Sequence, residues 1–375
     1  MQPHEFRLER YFAAHEFTVR YILSASDPES LSLAELLALA DPATRDLWDH
    51  LSLGYTESPG HPRLRAEIAG LYAGIAPDEV LVAVPEEAIF IAMQALLRPG
   101  DHVIATFPAY QSLFEVPAAI GCEVTPWPLA PSDGGWQLDL DFLAGQIGPR
   151  TRLIIVNFPH NPTGYLPPAS LQAAIVDLAR RHGVYLFSDE MYRGLEYAAE
   201  SRLPAACDLY ERAVSLSGLS KSFALPGLRI GWLATHDREV LAACARLKDY
   251  TTICPSAPSE ILAIAGLVAR EQILARNLAI LQRNLALAGD FFAAHRDLFG
   301  WLPPAAGSIA FPALNAAVNA DEFCRDLRER KSVLLAPASV FGYSGNHFRI
   351  GLGRLNFAAA LGELADYLAE NAAGR

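Results

Sequence analysis

The sequence predicts an α/β fold: a large domain on a mostly parallel sheet, with a smaller α+β domain beside it. Three observations predict it. From about residue 62 to residue 275, short apolar runs alternate with stretches of helical spacing. Those runs are continuous rather than alternating, as in strands that helices bury on both faces. Beyond residue 275 the pattern changes to a long Ala/Leu-rich helical stretch, short strand-like pieces and a final helix.

In order, "PRLRAEIAGLY" (Pro62–Tyr72) places Leu64, Ile68, Leu71 and Tyr72 on one helical face. "EVLVAV" is a strand. "PEEAIFIAMQALL" is a mostly apolar, buried helix, stopped by Pro99 and Gly100. "HVIAT" and "TRLIIVNF" are strands, "LQAAIVDLARRHG" a helix ended by Gly183, and "VYLFSDE", "RAVSLS" and "RIGWLAT" three further strands. A helical stretch reaches about His295, "SVLLAP" and "HFRIGLG" are strand-like, and a last helix starts near Phe357. The expected division is a large domain over 45–284 and a small one from 1–44 with 285–375.

The chain has 375 residues, 51% hydrophobic and 19% charged, which suffices for a large core. A formal charge of -12 argues against nucleic acid or an anionic membrane surface as a partner. The 5 cysteines are dispersed with no CxxC, and the histidines form no HExxH, so no disulfide framework or metal site is expected. "MQPHEFRLER" lacks the apolar core of a signal peptide, and no apolar run is long enough to span a bilayer. A cytoplasmic location is expected.

In open α/β sheets the chemistry lies beyond the carboxyl ends of the strands. Three stretches put polar residues there: "NFPHNPTG", "SDEMY" and "SGLSK". Singly, Asn161, Asp189, Lys221 and Arg229 have ordinary structural uses in turns, caps and ion pairs. Together, "NFPHNPTG", "SDEMY", "SKSFALPGLRIGW" and "HFRIGLGR" resemble the class I/II aminotransferases, which are pyridoxal-phosphate enzymes of fold type I with a seven-stranded type of sheet. The likeness runs from "LGYTESPGHPRLRAEIAGLY" to "FRIG".

The resemblance implies a role for each matched residue. Lys221 anchors pyridoxal 5'-phosphate as a Schiff base and, once displaced by substrate, moves the α-proton. Asp189 keeps the pyridine nitrogen protonated. Asn161 and Tyr192 bond the ring hydroxylate, Arg229 and Ser220 hold the phosphate, and Tyr110 stacks on the ring. Arg349 grips the substrate α-carboxylate, with Asn161 beside it. Tyr55 reaches the phosphate of a partner subunit, so a homodimer with shared sites is expected. The implied substrates are an L-amino acid and a 2-oxo acid.

Two departures concern the phosphate. Relatives have a Gly- or Ser-rich turn before the helix at Glu86, where this chain has "AVPEEA"; Glu86 then offers its N–H. Relatives often carry a serine three residues before the lysine, where this chain has Gly218, leaving Ser217 or Ser220 to donate. Weaker cofactor retention is the expected consequence. His160 is expected to fill its loop. Cys254, Lys248, Tyr250, Thr251 and Thr252 are minor candidates for lining the site. A rival reaction, elimination or cyclisation, comes with the same constellation. The stretches "AIFIAMQALLRPGDHVIATFPAYQSL" and "HFRIGLGR" resemble a branch that includes capreomycidine synthase, which cyclises a hydroxylated arginine. Glu16, Asp27 and Glu86 are then the acids available to a guanidinium.

Overall fold

The computed structural model describes residues 2–132, 134–315 and 318–373. Its large sheet contains β1 (Val80–Ala83), β2 (His102–Phe107), β3 (Glu123–Ser132), β4 (Gly135–Leu138), β5 (Thr151–Asn157), β6 (Tyr185–Asp189), β7 (Ala213–Gly218) and β8 (Gly231–Ala234). The spatial order is β1-β8-β7-β6-β5-β2-β3-β4. Neighbours from β7 to β3 run parallel, whereas β8 is antiparallel to both β7 and β1. The expected seven strands are present, and β4 is an eighth, hairpinned onto the outer half of β3. The sequence hides this pair because Pro126, Pro128 and Pro131 interrupt it. An outer strand tolerates proline where its N–H would have no partner.

The continuous apolar runs are indeed buried on both faces. Leu81, Val103, Ile155, Phe187 and Leu216 pack on one side with Ile89, Ala92 and Met93 of the helix Pro85–Leu96. Ile104, Ile154, Val156 and Leu186 pack on the other with Ile175, Val176 and Ala179 of the helix Ala169–His182. That helix stops at Gly183, whose φ of 64° is the left-handed cap glycine favours. The register sets Asn157, Asp189 and Leu216 side by side at the carboxyl ends of three central strands.

The C-terminal part has its own core, in which Phe299, Ile309, Phe323, Leu335, Phe348 and Leu364 meet. One 25-residue helix, Arg270–Ala294, joins the two units: Ile273 packs in the large one, while Leu281, Phe291 and Phe292 pack in the small one. The N-terminal segment is shared as well. Leu36 packs with Ile261 and Ile264 of the large unit. The first helix, Arg7–His15, rests between them: Leu8 joins Ile104 and Trp127, and the Tyr11 hydroxyl donates to Leu335 O at 2.7 Å. This helix thereby forms a wall over the strand ends. Among the described residues no helix is long and apolar enough to cross a membrane.

Candidate active site

A cavity of ≈ 660 Å³ opens at the carboxyl ends of the central strands, between the two units and the first helix. Its lining includes Glu86, Tyr110, Asn161, Asp189, Tyr192, Ser220, Lys221, Arg229 and Arg349. The residues to which the resemblance gives a role in cofactor or substrate binding therefore face one space, except Tyr55. Tyr55 is 93% exposed and lies outside the cavity of its own chain.

The chain has three lysines, Lys221, Lys248 and Lys331. Lys331 pairs with Glu370 at the surface. Lys248 is fully buried and donates to Ser58 O and Ile253 O, each at 2.9 Å, so it ties two loops together. Only Lys221 lines the cavity, with Nζ donating to Ser26 Oγ at 2.7 Å. Burial lowers its pKa, which favours the neutral, nucleophilic amine. Two left-handed non-glycine residues, Ala224 (φ 54°) and Arg229 (φ 55°), shape the loop that follows it. That conformation costs roughly 1 kcal/mol or more per residue, and functional loops are where such strain collects. It sets Arg229 at the cavity edge, its Nη1 donating to Pro226 O at 3.1 Å.

Asp189 ends β6, 5% exposed, with Oδ1 accepting from Met191 N at 3.1 Å. Burial pushes its carboxyl up to about 7, opposed by the Met191 N–H and Lys221. A cation placed against it would restore the carboxylate. Arg349, 2% exposed, spends Nε and Nη2 on Ser24 O at 3.2 and 3.0 Å and Nη1 on Asn161 Oδ1 at 3.1 Å. Its guanidinium lies over the Phe12 and Phe341 rings at 5.6 and 5.2 Å. Asn157 Oδ1 fixes the Asn161 loop by accepting from Asn161 N at 2.7 Å.

The cavity fits the pyridoxal phosphate that the resemblance implies. The buried hydroxyls of Tyr192 and Ser220 have no hydrogen-bond partner among the described residues, and both line the cavity. Buried hydroxyls rarely stay unpaired, so both await a polar ligand. With the amine of Lys221, the carboxyl of Asp189 and the guanidinium of Arg229, the donor set matches an aldehyde, a pyridine nitrogen, a ring hydroxyl and a phosphate.

Pro85 and Gly218, the two departures at the phosphate end, are one packing unit. A Cβ at Gly218 would lie 3.2 Å from Pro85 Cγ and 2.9 Å from Gly231 Cα, and one at Gly231 only 2.7 Å from Pro85 Cγ. The proline ring fills the room a serine at 218 would need. Gly218→Ser is expected to cost about 1–3 kcal/mol through overpacking. Chemical denaturation checks this, and because the Gly231 and Ile230 backbone also crowds the site, adding Pro85→Gly should not recover the loss in full.

Other expectations resolve by position. His160 fills its loop: it is 1% exposed, bonds Thr163 Oγ1 at 2.8 Å, and burial lowers its pKa to about 3. Tyr250, Thr251, Thr252, Cys254 and Lys248 do not line the cavity of their own chain. Thr251 and Thr252 instead bond Glu87. Ser217 is likewise absent from the lining, leaving Ser220 as the serine that faces the cavity. Sequence reasoning missed Glu9, Phe12, Ser26, Asn157 and Arg354. Of these only Asn157 had a signal, as a polar residue closing an apolar strand. Among the described residues no cluster of His, Cys, Asp or Glu could hold a metal ion.

Known proteins agree with this geometry. The family model for aminotransferase class I and II matches residues 23–370. Capreomycidine synthase of Streptomyces vinaceus is 32% identical over 374 residues, 98% of this chain and 93% of that protein. A PLP-dependent aminotransferase from Streptococcus suis superposes with a TM-score of 0.92 at 30% identity, covering 99% of both chains. A PLP-dependent cyclase superposes at 0.91 with 32% identity, covering 99% of this chain and 98% of its own. A match over nearly the whole length, on a fold whose strand ends carry the expected side chains, places this chain in the class I and II aminotransferase family.

Proposed function

We propose that this chain is a pyridoxal-phosphate-dependent aminotransferase that moves an amino group between an L-amino acid and a 2-oxo acid. The observation that carries the proposal is that the one cavity-facing lysine shares its cavity with a buried carboxyl, Asp189, and a buried guanidinium, Arg349. The bound cofactor supplies an aldehyde for the substrate amine and an electron sink for the Cα electrons. The chain does the rest. Arg349, oriented by Asn161 and Ser24 O, holds the substrate carboxylate in a planar fork. Lys221 Nζ would take the proton from the substrate Cα and deliver it to the cofactor's aldehyde carbon, and Ser26 Oγ steadies the amine between these roles. Asp189 holds the pyridine nitrogen protonated. Tyr192 and Asn161 hold the ring hydroxyl, and Arg229, Ser220 and the first-turn N–H of Glu86 hold the phosphate. Tyr110 covers one ring face.

We extend the proposal to a homodimer, divided within each chain near residues 44 and 284. Leu53, Tyr55, Tyr250 and Ile253 are exposed, and bonds from Thr56 and Ser58 to Pro255 O and Ile253 O draw their two segments into one apolar patch. A partner seated there would cover the patch and receive Tyr55.

The reaction is tested with a panel of amino acids and 2-oxo acids. Transamination predicts one 2-oxo acid released for each amino group transferred. Capreomycidine synthase and a PLP-dependent cyclase among the relatives favour a second reading, elimination or cyclisation. That reading predicts loss of water or ammonia with no amino acceptor required.

A further inference from the structure

Five carboxyls line the cavity: Glu9, Glu16, Asp27, Glu86 and Asp189. Asp27 is paired with Arg354 at 3.0 Å, and Asp189 faces the cofactor ring in the proposal above. Glu9, Glu16 and Glu86 remain, and among the described residues none of them makes an ion pair. Of the five cations in the lining, Lys221, Arg229 and Arg349 are committed to anchor, phosphate and carboxylate, and Arg354 to Asp27. Only Arg10 is left, exposed on the first helix. The walls therefore hold three uncommitted acids, Glu9 exposed and Glu16 and Glu86 partly buried, against one exposed base.

Their placement is specific. Glu9 and Glu16 lie two turns apart on the first helix, with Phe12 between them on the same cavity-facing side. Glu9 accepts from the Tyr110 hydroxyl at 2.9 Å, and Tyr110 packs on Phe6 with ring centres 5.1 Å apart. Glu86 enters from the opposite wall, at the start of the helix Pro85–Leu96, and accepts from Ser112 Oγ at 3.2 Å. Burial foremost raises its carboxyl to about 7, with the like charges of Glu9 and Asp189 adding to this and the Ser112 and Tyr110 hydroxyls opposing it. Glu16 is raised too, by burial and then by Glu9 and Asp27. Glu9 shares the cavity lining with Lys221 and Arg349, where a substrate's amine and carboxylate would be fixed. A side chain leaving Cα between those two groups meets carboxyls and aromatic faces.

An anionic side chain would be repelled by this wall, and a neutral one would leave the partly buried Glu16 and Glu86 without a counter-ion. A cation relieves both. We propose that the amino acid taken by this site ends in a cation, guanidinium or ammonium, held between Glu9 on the first helix and Glu86 on the facing wall. The proposal rests on the aminotransferase reading, because it uses Lys221 and Arg349 to orient the substrate.

The test uses the cofactor-loaded enzyme and two pairs of near-isosteres: L-arginine against L-citrulline, and L-lysine against L-norleucine. Apparent dissociation constants come from the change in visible absorption, with 2-oxo acid formation as a second readout. The cationic member of at least one pair should bind about tenfold tighter or better. The pair that discriminates distinguishes guanidinium from ammonium. Glu86→Gln and Glu9→Gln, which keep side-chain size, should each raise the constant for that cation about tenfold and leave its neutral partner within about twofold. The proposal is overturned if both neutral analogues bind as well as the cations, if L-glutamate binds better, or if the variants weaken both members of a pair equally. If no amino acid of any charge perturbs the absorption, the aminotransferase reading itself fails and this proposal falls with it.

Discussion

Lys221→Ala is expected to lower kcat by on the order of 10⁴-fold or more, because both the covalent anchor and the proton carrier at Cα disappear together. No other side chain can take over. Lys248 is locked between Ser58 O and Ile253 O, and Lys331 is paired with Glu370 at the surface. The fold should survive. Lys221 makes one hydrogen bond, to Ser26 Oγ, and burial disfavours its charged form. Circular dichroism and a melting curve like those of the parent, beside absent turnover, are the expected pair of results. A residual rate within about tenfold of the parent would give the proton transfer to another group.

Asp189→Asn is the second large effect, a fall in kcat of about 10²–10³-fold, in the range seen when one preorganised electrostatic contact to developing charge is removed. Stability should move the other way. The folded-state pKa of Asp189 is raised from 3.8 to about 7 by burial, so folding favours the protonated acid. In the cofactor-free protein this group's contribution therefore falls as pH rises from about 4 to about 7, where the unfolded chain is ionised and the folded one is not. Asparagine has no charge to bury. Cofactor-free Asp189→Asn should melt above the cofactor-free parent at pH 8, with the difference vanishing near pH 4. Equal melting at both pH values would show that Asp189 is not held neutral.

What the sequence disclosed and withheld has a physical pattern. Asp189 was legible because it closes an apolar strand with a group that does not belong in a core, and Lys221 because it is a lone amine just past the end of another; parallel strands deliver their carboxyl ends to one edge. The parallel, doubly covered character of the sheet followed from the continuous apolar runs, but β3 and β4 did not, because prolines obscured that outer hairpin. The wall made by the first helix was not legible. Glu9 meets Tyr110 across 101 residues, and Ser26 meets Lys221 across 195, so no local spacing records either contact. Gly218 looked like a missing donor in the sequence. In the structure its Cβ position is taken up by the neighbouring Gly231 and Ile230 backbone and the Pro85 ring, which no pattern along the chain can display.

The central claim is that Lys221 holds the cofactor. The most direct measurement is borohydride reduction of the purified, cofactor-loaded protein, followed by peptide mapping in a mass spectrometer. The account predicts one pyridoxyl-phosphate adduct, on the peptide carrying Lys221, and none when Lys221→Ala is treated the same way. An adduct on Lys248 or Lys331, or no adduct on a protein that binds the cofactor, would contradict it.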